Sequence, residues 1–204
     1  IERALMFQAL DEQHMAVQAM RSVTYVQRGE HLSCVGCHEP PLQAPVPSSG
    51  TPLALQREPS RLMPEAGPVE PINFYRLVAP VFARSCLPCH REEDKGPQDM
   101  SFEALRPYVF YFAGGMRGSV MTPRHGGSRS IPGRVGARTS RMGRALMDQN
   151  HLGKIPQEDF RRVVLWLDAN ALRLGAFYDE DRQVAGELVW PKLDVDSDNP
   201  QGLQ

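Results

Sequence analysis

No stretch of this chain reaches the about 18 consecutive apolar residues that a membrane-spanning helix needs, so no membrane span is expected. Excess charge is missing too: 23 Lys and Arg stand against 24 Asp and Glu, a formal net charge of −1. A near-neutral chain lacks the positive surplus that holds nucleic acid by its phosphates, so no nucleic-acid partner is expected. Cysteine is scarce. All four, Cys34, Cys37, Cys86 and Cys89, fall inside two short motifs, which leaves none for a structural disulfide. No signal peptide is visible, because Ile1-Glu2-Arg3 begins directly in amphipathic sequence.

What remains is globular in composition, with 41% apolar and 23% charged residues. Its 204 residues allow one large or two small domains. The two motifs are Cys34-Val-Gly-Cys37-His38 and Cys86-Leu-Pro-Cys89-His90. In each, two thiols can add across the vinyl groups of a haem, and the next residue can supply imidazole to the iron. One copy alone would also suit a redox dithiol or half of a zinc knuckle. The redox reading expects a βαβ context that neither site offers, whereas a zinc ribbon would bring paired Cys-x-x-Cys units into one site. The reading adopted is a covalent di-haem c-type cytochrome with two attached haem c groups. Haem c is attached outside the cytoplasmic membrane, so a periplasmic or equivalent extracytoplasmic location is expected. The absent signal then points to a segment cut from something longer.

Four regions are expected: 1–39, a β-hairpin arm plus the first attachment motif; 40–71, a linker; 72–178, a domain around the second motif; and 179–204, an acidic C-terminal tail with Asp194, Asp196 and Asp198. Residues 3–27 alternate apolar and polar positions, with Asp11-Glu12-Gln13-His14 as the turn. The linker holds nine of the 18 prolines and sustains neither helix nor central strand. Phe74, Leu77, Val78, Val81 and Phe82 follow helical spacing into Cys86, and Pro80 must start a turn or kink one. Ser101 reads as the N-cap of a helix ended by Pro107, residues 113–139 read as irregular, and residues 140–149 read as helical. Pro156 opens a helix over 156–172, with Phe160, Val163, Val164, Leu167 and Leu172 in one stripe and Trp166 beside it. The fold expected is mainly α: a cytochrome c-like helical domain around haem, preceded by a short β-hairpin and a Pro-rich extended linker.

Axial ligands separate electron carriage from chemistry, since a closed iron transfers electrons and an open one binds small molecules. His38 and His90 are the proximal candidates. His151, at the junction of two expected helices, is the leading distal candidate for the second iron, and His125 is the runner-up. From Ala104 to Met147 there is no acidic residue but eight arginines. Haem propionates pair with guanidinium through two-pronged hydrogen bonds, which nominates Arg134, Arg138 and Arg141. The remaining arginines would be solvated or would steer an acidic redox partner. No acid–base constellation surrounds either motif, so no catalytic residue is assigned.

Met6 to Asp11, Val17 to Ser22 and Gly29 to Glu39 together resemble the haem-bearing portion of hydrazine synthase alpha-subunit-like proteins, as do Ser130 to Ser140 and Leu165 to Asn170. The resemblance implies a β-propeller upstream, a middle domain with one haem and a C-terminal cytochrome domain with another. It implies a bis-histidine second haem, in keeping with His90 and His151. In the hydrazine-forming members a tyrosine four positions after the first motif's histidine ligates iron and that histidine goes to zinc. The corresponding residue here is Leu42, and no tyrosine lies between Tyr25 and Tyr75. Ordinary ligation by His38 is therefore expected. The function expected is an electron-transfer module of a larger protein, working with redox partner proteins and with other subunits or domains of a complex. The alternative is an oxidoreductase whose open first haem acts on a small nitrogen or oxygen species.

Overall fold

The structure, a computed structural model, describes residues 4–20, 23–27, 29–30, 32, 50–51, 53–110 and 132–192. Cys34, Cys37, His38, His125 and the aspartates of the tail lie outside the described residues.

The hairpin forms as two short antiparallel ladders. Outermost, β1 (Ala4–Leu5) pairs with β4 (Thr24–Tyr25). Inside, β2 (Gln8–Leu10) pairs with β3 (Ala16–Ala19), with a register shift between Ala9 and Leu10. The turn forms because Asp11 Oδ1 accepts from the N–H groups of Gln13 and Met15, both at 2.9 Å, while His14 takes a left-handed φ of 61°. A two-stranded ribbon is marginal alone. This one is held by burying Met15 and Ala16 against the helices.

The chain next enters a series of short helices: α1 (Phe74–Leu77), α2 (Ala79–Val81), a π-helical turn (Phe82–Cys86), α3 (Leu87–Glu92) and α4 (Phe102–Leu105). A 3-10 turn, Arg106–Tyr108, follows α4. After the undescribed segment come α5 (Gly136–Thr139), α6 (Arg141–Leu146), α7 (Gln157–Asp168) and α8 (Glu180–Val184). Caps explain several starts. Asn73 accepts from the N–H groups of Tyr75 and Arg76, Ser101 from Ala104 and Ser140 from Gly143.

The expectation of a mainly α, cytochrome c-like domain is corrected here. Helix of all kinds covers 38% of the described residues and strand 8%, and only α7 exceeds six residues. Proline explains much of the shortfall. Pro80, Pro88 and Pro107 each sit near the start of a helical piece and have no N–H to donate to the turn before. The helix expected over 156–172 stops at Asp168, because Asn170 and Ala171 turn left-handed (φ 67° and 49°) and the Ala171 N–H closes back on the Trp166 carbonyl at 2.8 Å. Leu172 therefore leaves the apolar stripe and is exposed. Within 113–139, expected to be irregular, residues 136–139 are helical.

The core is aromatic. Phe74, Phe82, Phe102 and Trp166 meet in tilted or edge-on pairs with centroids 5.4–6.5 Å apart. Trp166 is fully buried and spends its indole N–H on the Leu172 carbonyl at 2.9 Å. Chain beyond residue 178 folds back on this core. Gln183, buried on α8, accepts from Asn73, Gly175 and Ala176 and donates to the carbonyls of Ala176 and Tyr178.

Candidate functional site

The second motif straddles two local geometries. Cys86 ends the π-helical turn, where the Leu87 N–H reaches back to the Phe82 carbonyl, and α3 carries Cys89 and His90. Such wide turns are rare and concentrate at functional sites. Here the turn delivers Arg84 and Ser85 to one buried carboxylate on α7. Asp159 accepts from Arg84 Nε at 3.1 Å and Ser85 Oγ at 2.6 Å, and forms an ion pair with the Arg84 guanidinium. Burial alone would push the Asp159 carboxyl up. The hydrogen bonds from Arg84 and Ser85, with the Arg84 charge, outweigh it and hold the carboxyl below its ordinary value.

Both thiols of the motif are held protonated. Burial, with the Asp159 charge, pushes the Cys86 thiol up to about 11. Cys89 is exposed, and its thiol is also pushed up, first by its hydrogen bond to Glu93 Oε1 at 3.4 Å. A dithiol redox centre needs the opposite, a lowered thiol that is thiolate near neutrality. Among the described residues no three His, Cys, Asp or Glu side chains converge as metal ligands; Cys34 and Cys37, which a zinc ribbon would need, lie outside them.

The histidines are arranged differently. His90 Nδ1 lies 3.2 Å from the Pro97 carbonyl, which can only accept, so Nδ1 carries the hydrogen and Nε2 keeps its lone pair. The loop after α3 makes this possible. Gly96, at φ +68°, passes beneath the imidazole so closely that a Cβ would sit 2.8 Å from His90 Cε1. His151 Nδ1 lies 3.2 Å from Asp148 Oδ1, which leaves its Nε2 free by the same logic. The two rings are 6.1 Å apart, centre to centre, with planes at 44°. His90 and His151 are the two imidazoles that would hold an iron here, and bound haem would supply one-electron redox chemistry. An apolar bed lies alongside, since Cys86 packs on the cluster that contains Phe82, Phe102, Leu105, Met142 and Leu146.

The arginine candidates are spread out. Arg134 is exposed. Arg138 pairs with Asp11 in the hairpin turn. Arg141 lies 4.7 Å from the centre of the Tyr108 ring, at the edge of the core cluster. Only Arg141 is thus beside the apolar bed of the motif.

A concave region lies between the hairpin and α7, a cavity of about 500 Å³ lined by residues including Met6, Met20, Val135, Leu165 and Leu172. Its carboxyl, Asp168, accepts from the N–H groups of Ala137 at 2.7 Å and Ala16 at 2.8 Å. Burial pushes this carboxyl up despite those bonds and the nearby Arg138 charge.

Asp148, Asp159 and Pro97 escaped the sequence reading as parts of this site. Signals existed for two of them. Asp148-Gln149-Asn150-His151 places a carboxylate three residues before a histidine in a turn, and Gly96-Pro97 marks a tight return after His90. Asp159 reads from sequence only as a helix-start acid.

Residues 1–39 match the family model of the hydrazine synthase alpha subunit middle domain. That N-terminal segment, hairpin and first motif together, is similar to that domain, and the match spans 39 of the 204 residues. No curated protein and no solved structure matches the chain. Among the described residues, no helix is long and apolar enough to cross a membrane.

Proposed function

We propose that this chain is a di-haem c-type module of a larger, hydrazine synthase alpha-related protein, carrying electrons between redox partners outside the cytoplasm. The observation that carries this reading is the pair His90 and His151, 6.1 Å apart, each with Nδ1 engaged elsewhere. Cys86 and Cys89 would hold one haem covalently, and Cys34, Cys37 and His38 the other. Bound haem supplies a one-electron Fe(III)/Fe(II) couple. The protein residues do the rest. Pro97 and Asp148 orient the two imidazoles, Asp159 fixes the turn that ends in Cys86, and the exposed Cys89 puts one edge of the site at the surface, where a partner can approach. Closed ligation leaves no room for substrate at the second site. Partners would be redox proteins and the other subunits that the matched family's name, an alpha subunit, implies.

A second reading has one observation in its favour. The family match falls on the segment that holds the first motif, so an open first haem acting on a small nitrogen or oxygen species is the competing function. Haem counting by pyridine haemochrome, with EPR of the oxidised chain, tests both. Two low-spin haems that ignore cyanide support the carrier, and one ligand-binding high-spin haem supports the enzyme. Absence of covalent haem would overturn both.

A further inference from the structure

We propose that Asp148 is a positioning residue that sets the reduction potential of the second site, by holding His151 against a full negative charge. This rests on the ligand reading given above and goes beyond it. The two histidines share one nitrogen-to-acceptor distance, 3.2 Å, but not one acceptor. His90 donates to the neutral Pro97 carbonyl and His151 to a carboxylate.

The carboxylate is fixed in place. Asp148 Oδ1 also accepts from the Asn150 N–H at 2.7 Å, and the backbone N–H groups of His151 and Leu152 close on the Asp148 carbonyl at 3.1 and 2.8 Å. One tight turn therefore presents both the imidazole and its acceptor, so their relation does not depend on distant packing. A carboxylate acceptor makes an imidazole a stronger donor to its metal than a carbonyl does. The stronger donor favours the more highly charged Fe(III) and lowers the potential. The Asp148 side chain is 44% exposed and that of His151 36%. Water screens the charge at that exposure, so the effect is smaller than that of a fully buried carboxylate.

The test is spectroelectrochemical titration of the haem-loaded full chain, with low-temperature EPR, for wild type and for Asp148→Asn, Asp148→Glu and Asp148→Ala. Asparagine can still accept from Nδ1–H but carries no charge. The expected result is a low-spin Asp148→Asn protein whose midpoint potential lies above that of wild type, with Asp148→Glu returning toward wild type. Asp148→Ala, which removes the acceptor, should add a high-spin fraction. A low-spin Asp148→Asn protein with unchanged potential would overturn the proposal, as would an Asp148→Asn protein that turns high-spin. His151→Ala separates the two levels of the argument. If that variant leaves the low-spin spectrum intact, the ligand reading falls and this inference with it. If it turns the iron high-spin while Asp148→Asn leaves the potential unmoved, only this inference falls.

Discussion

Asp159 and Asp168 occupy opposite ends of α7, and their surroundings drive the two carboxyls in opposite directions. At the first end, Asp159 meets a guanidinium and a hydroxyl and is held ionised beside the motif. At the other, Asp168 meets two backbone N–H groups and is pushed toward its neutral form beneath the hairpin. One helix thus anchors both halves of the molecule with the same residue type. The difference is the source of compensation. A guanidinium hydrogen-bonded directly to the carboxylate offsets desolvation at Asp159, whereas two backbone N–H groups and the nearby Arg138 charge do not at Asp168. Asp159 is therefore held by a charged hydrogen bond, and Asp168 by burial and backbone hydrogen bonds.

The sharpest way to break this comparison is Asp168→Ala. It strands the Ala16 and Ala137 N–H groups, at about 1–3 kcal/mol for each buried donor left without a partner. The expected loss is about 2–6 kcal/mol in urea unfolding, with faster hydrogen exchange at Ala16 than at sites on α1. A loss under about 1 kcal/mol would mean that the hairpin does not depend on this clamp.

A smaller effect is expected at the other end. Asp159→Ala removes the partner of an Arg84 side chain that is itself half exposed, so screening limits the ionic part. About 1–2 kcal/mol is expected, together with easier alkylation of Cys86 in haem-free protein, because the charge that helps raise that thiol is gone.

Titration sharpens the contrast further. Asp159 has a lowered folded pKa, so its contribution is present above the ordinary 3.8 and is lost as pH falls through the folded value. Asp168 has a raised folded pKa, so its contribution is complete below 3.8 and is lost as pH rises through the folded value. Asp159→Asn should flatten the acid-side loss of stability, and Asp168→Asn the decline above 3.8. Equal pH slopes in the two variants would erase the distinction between the two ends.

The smallest effect concerns the thiols. In haem-free protein both are protonated near neutrality, so alkylation should be slow at each and should reach exposed Cys89 before Cys86. Rapid reaction at Cys86 would contradict the burial that raises it.

Much of this arrangement was legible in the sequence, and unevenly so. The turn at Asp11–His14 and the cap at Ser101 are local, and local chemistry fixes them. His151 was nominated from its place between helices, and it is found beside His90. The fold class was misjudged because the apolar spacing into Cys86 reads as helix with one break at Pro80, whereas prolines and a π-helical turn divide it into short pieces. Arg138 was assigned to a propionate and pairs with Asp11, a contact between residues far apart in sequence that no local pattern announces. The same holds for Asp159 and Asp168, whose partners come from other elements.

The most direct test of the account is low-temperature EPR of the oxidised, haem-loaded Cys34→Ala/Cys37→Ala chain, which keeps only the second attachment motif. The account predicts a single low-spin haem that turns high-spin when His151→Ala is added. A high-spin iron with His151 intact, or a low-spin iron that survives its removal, would contradict it.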